Sequence, residues 1–311
     1  MSRLRHSFQA YRRSMQMSSD KVFVFVEGKT DRYFYGKICE SVCGQAGVPY
    51  RLASADELDQ GTTVATKTGG KTVLDNFFVY LRQSTCLADD FQGKKTVVLF
   101  FSDKDIDDLL RKQRRSPHVV YTRHYTIENE IFREGDIAEA AAAATSMDIQ
   151  VVARGLGDQA KWREEVAELW KDWVKLCVFA KKREIRECNY GSSSRVNSPL
   201  YGPVDPILLS SVLATLEARS TLSSTDFALK YAKVSKYVDH IYANNQFDTI
   251  FSGKWYMNFL VERVKTIAGN RAYDQEALPK RLRSSLTLTI DFQAPWAEHF
   301  KSPLREIVQL L

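Results

Sequence analysis

From residue 22 to residue 26 the chain reads Val-Phe-Val-Phe-Val, then turns polar at Glu27-Gly28-Lys29-Thr30-Asp31. An unbroken β-branched and aromatic run, with no polar alternation, predicts a strand buried on both faces. Residues 96–101 repeat the design, and the second apolar run ends in Ser102-Asp103-Lys104-Asp105. Between the two, Phe34, Ile38 and Val42 recur at helical spacing until Gly47-Val48-Pro49 breaks the pattern. Residues 50–53 predict a weaker strand. Val73, Leu74, Phe77, Phe78 and Leu81 mark an amphipathic helix. A short helix over 106–113 and a fourth strand over 119–121 complete the series.

Strands alternating with helices at this spacing predict an α/β unit: a Rossmann-like, mainly parallel sheet flanked by helices. Beyond residue 136 the texture changes. An Ala-rich helix over 138–144 comes first. Trp162, Val166, Leu169, Trp170, Trp173 and Cys177 then share one helical stripe. Further helices are expected over 207–216, 225–242 and 255–268, with a Ser/Pro-rich, flexible segment over 190–206. The expected organisation is a basic segment over 1–17, an α/β domain over 18–135 and a mainly helical domain over 136–311.

Composition narrows the class. Hydrophobic residues at 44% and charged residues at 26% suit a folded soluble chain rather than a disordered one. No apolar run approaches the ~18 residues of a membrane span. The arginines near the start (Arg3, Arg5, Arg12, Arg13) precede no apolar core, so no secretory signal is predicted and a cytoplasmic location is expected. Cys39, Cys43, Cys86, Cys177 and Cys188 lack metal-ligand spacing and are read as buried reduced thiols. The net charge is +6, and part of it is concentrated in Arg111-Lys112-Gln113-Arg114-Arg115, directly after the second acidic cluster. Solvated surface accounts for such a run on its own. Beside paired carboxylates it also suits a polyanionic substrate.

Right-handed crossovers place neighbouring parallel strand ends on one sheet edge. Glu27, Asp31, Asp103 and Asp105 are therefore expected to converge. Two carboxylates about 5 Å apart repel by about 3 kcal/mol at an effective dielectric near 20. Four of them call for a cation, and all-oxygen ligation suits Mg²⁺ or Mn²⁺. Glu128 or Glu130, near the fourth strand, would extend the set towards two ions, with helix-dipole stabilisation as the plain alternative for either acid. Two ions suit in-line attack on a phosphodiester.

Glu27, followed by Asp103-x-Asp105 on a later strand, resembles the toprim pattern of topoisomerases, primases and overcoming-lysogenization-defect nucleases. Val26-Glu27-Gly28-Lys29-Thr30-Asp31-Arg32-Tyr33-Phe34-Tyr35, with Gly69-Gly70-Lys71, Thr126-Ile127-Glu128-Asn129 and Ser252-Gly253-Lys254, resembles more closely a toprim-like family of that nuclease type. The resemblance implies metal ligation by Glu27, Asp31, Asp103, Asp105 and Glu128. It also implies a catalytic lysine, for which Lys254 is the candidate. Lys29, Lys71, Arg111, Arg114 and Arg115 would bind substrate phosphate. Effectors of this kind are held by a partner ATPase, act as homodimers once released in anti-phage defence, and cleave host RNA such as tRNA.

Residues 65–72 fit a permissive P-loop, which predicts instead an ATPase or kinase. The polar segment before them lacks the buried strand that such a loop requires. Loss of ATP binding on Lys71→Ala would identify it. A third possibility is a non-catalytic protein whose acids hold a structural ion. His118 and His124 pair with no nucleophile, so a serine or cysteine hydrolase is not expected. The tryptophans are assigned to packing, and Tyr190 beside Arg195 is the segment expected to offer a base-stacking surface.

Overall fold

The structure is a computed structural model describing residues 5–59, 70–191, 193–269, 274 and 276–311. Two compact units share the chain. The first takes the described residues within 1–104, 113–123 and 291–311; the second takes those within 105–112 and 124–290. This division differs from the expected segments 18–135 and 136–311. Residues 291–311 return to the first unit, while 105–112 and 124–290 belong to the second.

In the first unit the chain forms β1 (His6–Ser7), α1 (Phe8–Met17), β2 (Val22–Val26), α2 (Arg32–Cys39), β3 (Tyr50–Ser54) and β4 (Leu58–Asp59). It continues through α3 (Gly70–Gln83), β5 (Ala88–Phe91), β6 (Lys94–Ser102) and β7 (Val119–Tyr121). A mixed five-stranded sheet runs in the order β3-β2-β6-β5, with β7 also paired to β6. β2 lies parallel to both β3 and β6, in the register Val22↔Tyr50 and Val22↔Val97. β5 pairs antiparallel with the start of β6, and β7 pairs parallel with its end. The α/β expectation holds. β5 was not foreseen, although its signal is the two-residue loop Gln92-Gly93, whose φ angles of 55° and 79° suit a tight hairpin.

All five residues of β2 are buried because both of its faces are covered. On one face Phe23, Phe25 and Phe100 meet Tyr11, Met15, Phe77 and Phe78 from α1 and α3. Phe25 and Phe100 stack at 5.2 Å. On the other face Tyr35 of α2 stacks on Phe101 at 4.4 Å. Phe300, from a helix over Glu298–Val308, packs edge-on against Phe101 at 5.9 Å. Each such aromatic contributes about 1.5–3 kcal/mol by leaving water. Within the expected basic N-terminal segment, residues 8–17 form a helix that buries Tyr11 and Met15 against the sheet.

The described elements of the second unit are helical. They are α4 (Ile127–Glu134), α5 (Ile137–Thr145), α6 (Ile149–Leu156), α7 (Gln159–Leu169), α8 (Lys171–Lys182), α9 (Pro206–Arg219), α10 (Ser224–Ala243), α11 (Gly253–Ala268) and α12 (Ala277–Leu288). Asp136, Asp148, Asp158 and Asp205 accept backbone N–H bonds at the starts of α5, α6, α7 and α9. Such caps are each worth about 1 kcal/mol. The single Trp162–Cys177 stripe is two helices. Trp170, fully buried edge-on against Trp255 and Phe259, adopts φ −107° and ψ 12° and redirects the chain. The helix expected over 106–113 is a series of turns. Asp105 and Arg111, with φ of 52° and 57°, bracket it in left-handed geometry that a helix cannot propagate. Among the described residues no helix is long and apolar enough to cross a membrane.

Candidate functional site

The two strand ends meet as their sequences predict. Glu27 follows β2, and one of its carboxylate oxygens, Oε1, accepts from Ser102 Oγ and from the Asp103 backbone N–H, each at 2.8 Å. Parallel pairing of β2 with β6 produces this juxtaposition. Glu27 and Asp103 are both part-buried, and Ser102 is buried at 7% exposure. Ser102 therefore serves as a donor that orients Glu27. No sequence motif marks it out, beyond its place before Asp103. Asp31 is buried, and its Oδ2 accepts the Gly28 N–H at 2.9 Å, which closes the turn after β2.

The Gly-Gly-Lys word acquires a structural reason at Gly70. A Cβ there would stand 2.5 Å from the Glu27 carbonyl oxygen, so only glycine lets α3 start against the end of β2. Lys71 follows, and its Nζ donates to the Asp103 carbonyl oxygen at 2.5 Å. The lysine is thereby tied to the same corner. The other members of the permissive P-loop, residues 65–69, lie outside the described residues.

The remaining predicted phosphate-binding residues divide. Lys29, largely exposed, pairs with Asp56 at 2.5 Å. Partial burial raises the Asp56 pKa, but hydrogen bonds from Lys29 and Ser54 overcome this and leave it lowered. Arg114 donates to Asp75 at 2.8 Å and lies over the Phe78 ring at 5.6 Å, which fixes it against α3. Arg115 is exposed on the first unit, and Arg111 is exposed on the second.

In the second unit Asp105 is part-buried, and its backbone N–H donates to the Tyr125 carbonyl at 2.7 Å. Left-handed geometry is tolerated by aspartate better than by most residues, and such outliers are frequent at functional sites. Glu128 and Glu130 lie in the first turn of α4, rather than at the edge of the fourth strand. Their surroundings differ. Glu130 is fully buried, and its Oε1 accepts the His124 N–H at 3.1 Å, with His124 Nδ1 also at 3.1 Å. Glu128 is 6% exposed; its Oε1 stands 3.3 Å from Arg283, and its buried Oε2 has no hydrogen-bond partner among the described residues.

Asn129 explains the spacing of two further sequence words. Its Oδ1 accepts from the N–H groups of Thr126 and Gly253 and from Thr126 Oγ1. Its Nδ2 donates to Asp248 Oδ1 and the Phe251 carbonyl. Asp248, buried to 1%, also accepts from Arg133, Arg163 and Tyr256. A Cβ on Gly253 would stand 2.3 Å from the Asn129 nitrogen and 2.8 Å from Glu128 Cβ. The hub thus sets the start of α11 directly on the start of α4. Lys254, next along α11, is exposed. Neither Asn129 nor Asp248 was foreseen as the organising residue.

Tyr190 does not offer a stacking surface. It is buried between Tyr125, at 4.5 Å, and Trp255, at 5.3 Å, and burial drives its hydroxyl pKa well up. All five cysteines are free and buried, as expected, and burial raises the Cys43 and Cys188 thiols to about 11.

Among the described residues, no group of three or more His, Cys, Asp or Glu side chains stands ready-made to hold a metal. The donors nonetheless suit a hard cation. They are carboxylates, and at Glu128 one buried carboxylate oxygen has no donor among the described residues. No family model matches the chain, and no curated protein matches it.

Proposed function

We propose that this chain is a metal-dependent nuclease of toprim-like fold that hydrolyses phosphodiester bonds in host nucleic acid, with RNA such as tRNA favoured over DNA. On this reading it is an anti-phage effector, held by a partner ATPase and active as a homodimer after release. The observation that carries the reading is the Glu27 carboxylate at the end of β2, hydrogen-bonded to Ser102 and to the Asp103 backbone at the end of β6. Lys71 Nζ reaches the Asp103 carbonyl at the same corner. Two donors from the end of β6 fix one oxygen of this carboxylate beside a second acid.

Mg²⁺ or Mn²⁺, in one or two ions, would supply charge neutralisation and an activated water. The protein's own groups do the rest. Ser102 and the Asp103 N–H hold Glu27 in one orientation, and Asp103 presents its carboxylate on the same edge. Lys71, anchored at the Asp103 carbonyl, offers positive charge where substrate phosphate approaches. Asp31 shapes the turn that carries Lys29 by accepting the Gly28 N–H on Oδ2, and it is assigned to a cation by the same reading. Asp105 and Glu128 are assigned to cations by the same reading. The Oε2 without a partner among the described residues favours Glu128 over Glu130. Lys254 remains the catalytic lysine of the proposal.

The test uses the chain freed of any partner, incubated with tRNA and, separately, with duplex DNA. Cleavage is expected in Mg²⁺ or Mn²⁺, abolished by chelation and by Glu27→Gln. Cleavage that persists in chelator, or in Glu27→Gln, refutes the proposal.

A further inference from the structure

The cations of the second unit are gathered rather than spread. Lys181, Lys182, Arg183 and Arg186 fall within a few consecutive residues at the end of α8. All four are exposed, and among the described residues none of them makes an ion pair. Two more arginines converge beside them. Arg195 and Arg219 each place Nη1 on the Glu187 carboxylate, at 2.7 Å from Oε1 and 2.5 Å from Oε2. One acid thus draws in two guanidinium groups, neutralises a single charge and leaves side chains that are 52% and 58% exposed. Lys112 approaches from the turns over 105–112, its Nζ 3.7 Å from Glu184 in an exposed, weak pair, and Arg111 before it is exposed as well. Eight basic side chains therefore share a neighbourhood with Glu184 and Glu187, while Asp107 and Asp108 lie on the turns that lead to Arg111. The dipole of α8 favours cations in its last turn, which accounts for Lys181 and Lys182. Its influence fades before Arg186, Arg195 and Arg219. Like charges this close repel, and a polyanion relieves the repulsion.

The geometry points to a docking surface, at the end of α8, for the sugar–phosphate backbone of duplex nucleic acid. Between Leu169 and Ile207, the stretch that supplies five of these cations, no large apolar side chain is exposed among the described residues. A protein partner would need an aromatic or aliphatic anchor there, and a membrane surface an apolar wedge. A single strand would need exposed aromatics on which its bases stack, and Tyr190 is buried. Lysines and arginines without such company suit phosphate oxygens, which a duplex of any sequence presents along its outside. That this nucleic acid is also the substrate rests on the nuclease reading; the surface itself does not.

Fluorescence anisotropy of a short labelled RNA duplex tests this, using the full chain in chelator so that cleavage is silent. Binding by the natural chain should weaken with salt, each phosphate contact adding about 0.7–0.9 to the slope of log affinity against log salt. Arg183→Gln combined with Arg186→Gln is expected to lower that slope by about 1.4–1.8, the share of two contacts. Lys280→Gln combined with Arg281→Gln removes the same charge from α12, which packs on α4, α5 and α11, and should leave the slope unchanged. All four positions are exposed, so both double variants should melt with the natural chain. No binding by the natural chain, equal slopes in the two double variants, or tighter binding of a single strand of the same length overturns the surface. Displacement of the duplex by poly-glutamate of matching charge overturns it too, in favour of an acidic protein segment. If it is overturned while Glu27→Gln still abolishes cleavage, the nuclease reading survives alone. If the slopes separate as expected but the natural chain never cleaves, the surface survives and the nuclease reading fails.

Discussion

Glu27 is held by two donors that belong to the neighbouring strand, so its orientation is a property of the sheet rather than of its own loop. Its neighbour across the corner, Gly70, is as constrained as the acid. A methyl group at position 70 would enter the Glu27 carbonyl oxygen at 2.5 Å, and relief requires moving either the start of α3 or the end of β2. Gly70→Ala is therefore predicted to destabilise the protein by about 1–3 kcal/mol, the usual cost of overpacking. It should also depress activity more than a surface substitution of equal stability cost. Urea denaturation alongside the cleavage assay checks both. A fully active, equally stable Gly70→Ala would show that the close approach has no consequence. The acids at 27 and 103 were legible in the sequence because each ends a buried run. Ser102 was not, because a serine before an aspartate carries no signal until the partner strand is known.

Among the elements, those with a strong single period were read correctly and those bent by tertiary contacts were not. β2, α3 and α11 each carry an uninterrupted pattern. The Trp162–Cys177 stripe keeps its period through the Trp170 break, because burial of that indole, rather than any local breaker residue, turns the chain. The turns over 105–111 escaped notice because left-handed Asp and Arg leave no compositional mark. At this scale the Asn129 hub is the most exacting feature. One amide satisfies the start of α4, caps α11 and reaches Asp248. Asn129→Ala is predicted to cost about 2–4 kcal/mol by orphaning buried donors and acceptors. Asn129→Asp should be at least as damaging, since it sets a second buried carboxylate beside Asp248. Urea midpoints of the two variants decide this. Substitutions that unfold no earlier than the natural chain would remove the hub from its structural role.

At the scale of the whole molecule the chain passes between the units more than once: it leaves the first unit after Lys104, returns for residues 113–123, and closes it with residues 291–311. Local periodicity could not disclose that return, because the last helix reads like any other amphipathic segment. Its Phe300 completes the sheet face that Tyr35 and Phe101 begin. The central claim is narrower than the fold: two strand ends in the first unit jointly present carboxylates to a divalent cation. Calorimetric titration of Mn²⁺ into the natural chain, into Glu27→Ala and into Asp90→Ala tests it directly, since Asp90 is an exposed acid on β5. The account predicts Mn²⁺ affinity at least about tenfold lower in Glu27→Ala, a loss of about 1.4 kcal/mol, and unchanged in Asp90→Ala. Mn²⁺ binding as tight in Glu27→Ala as in the natural chain would contradict it.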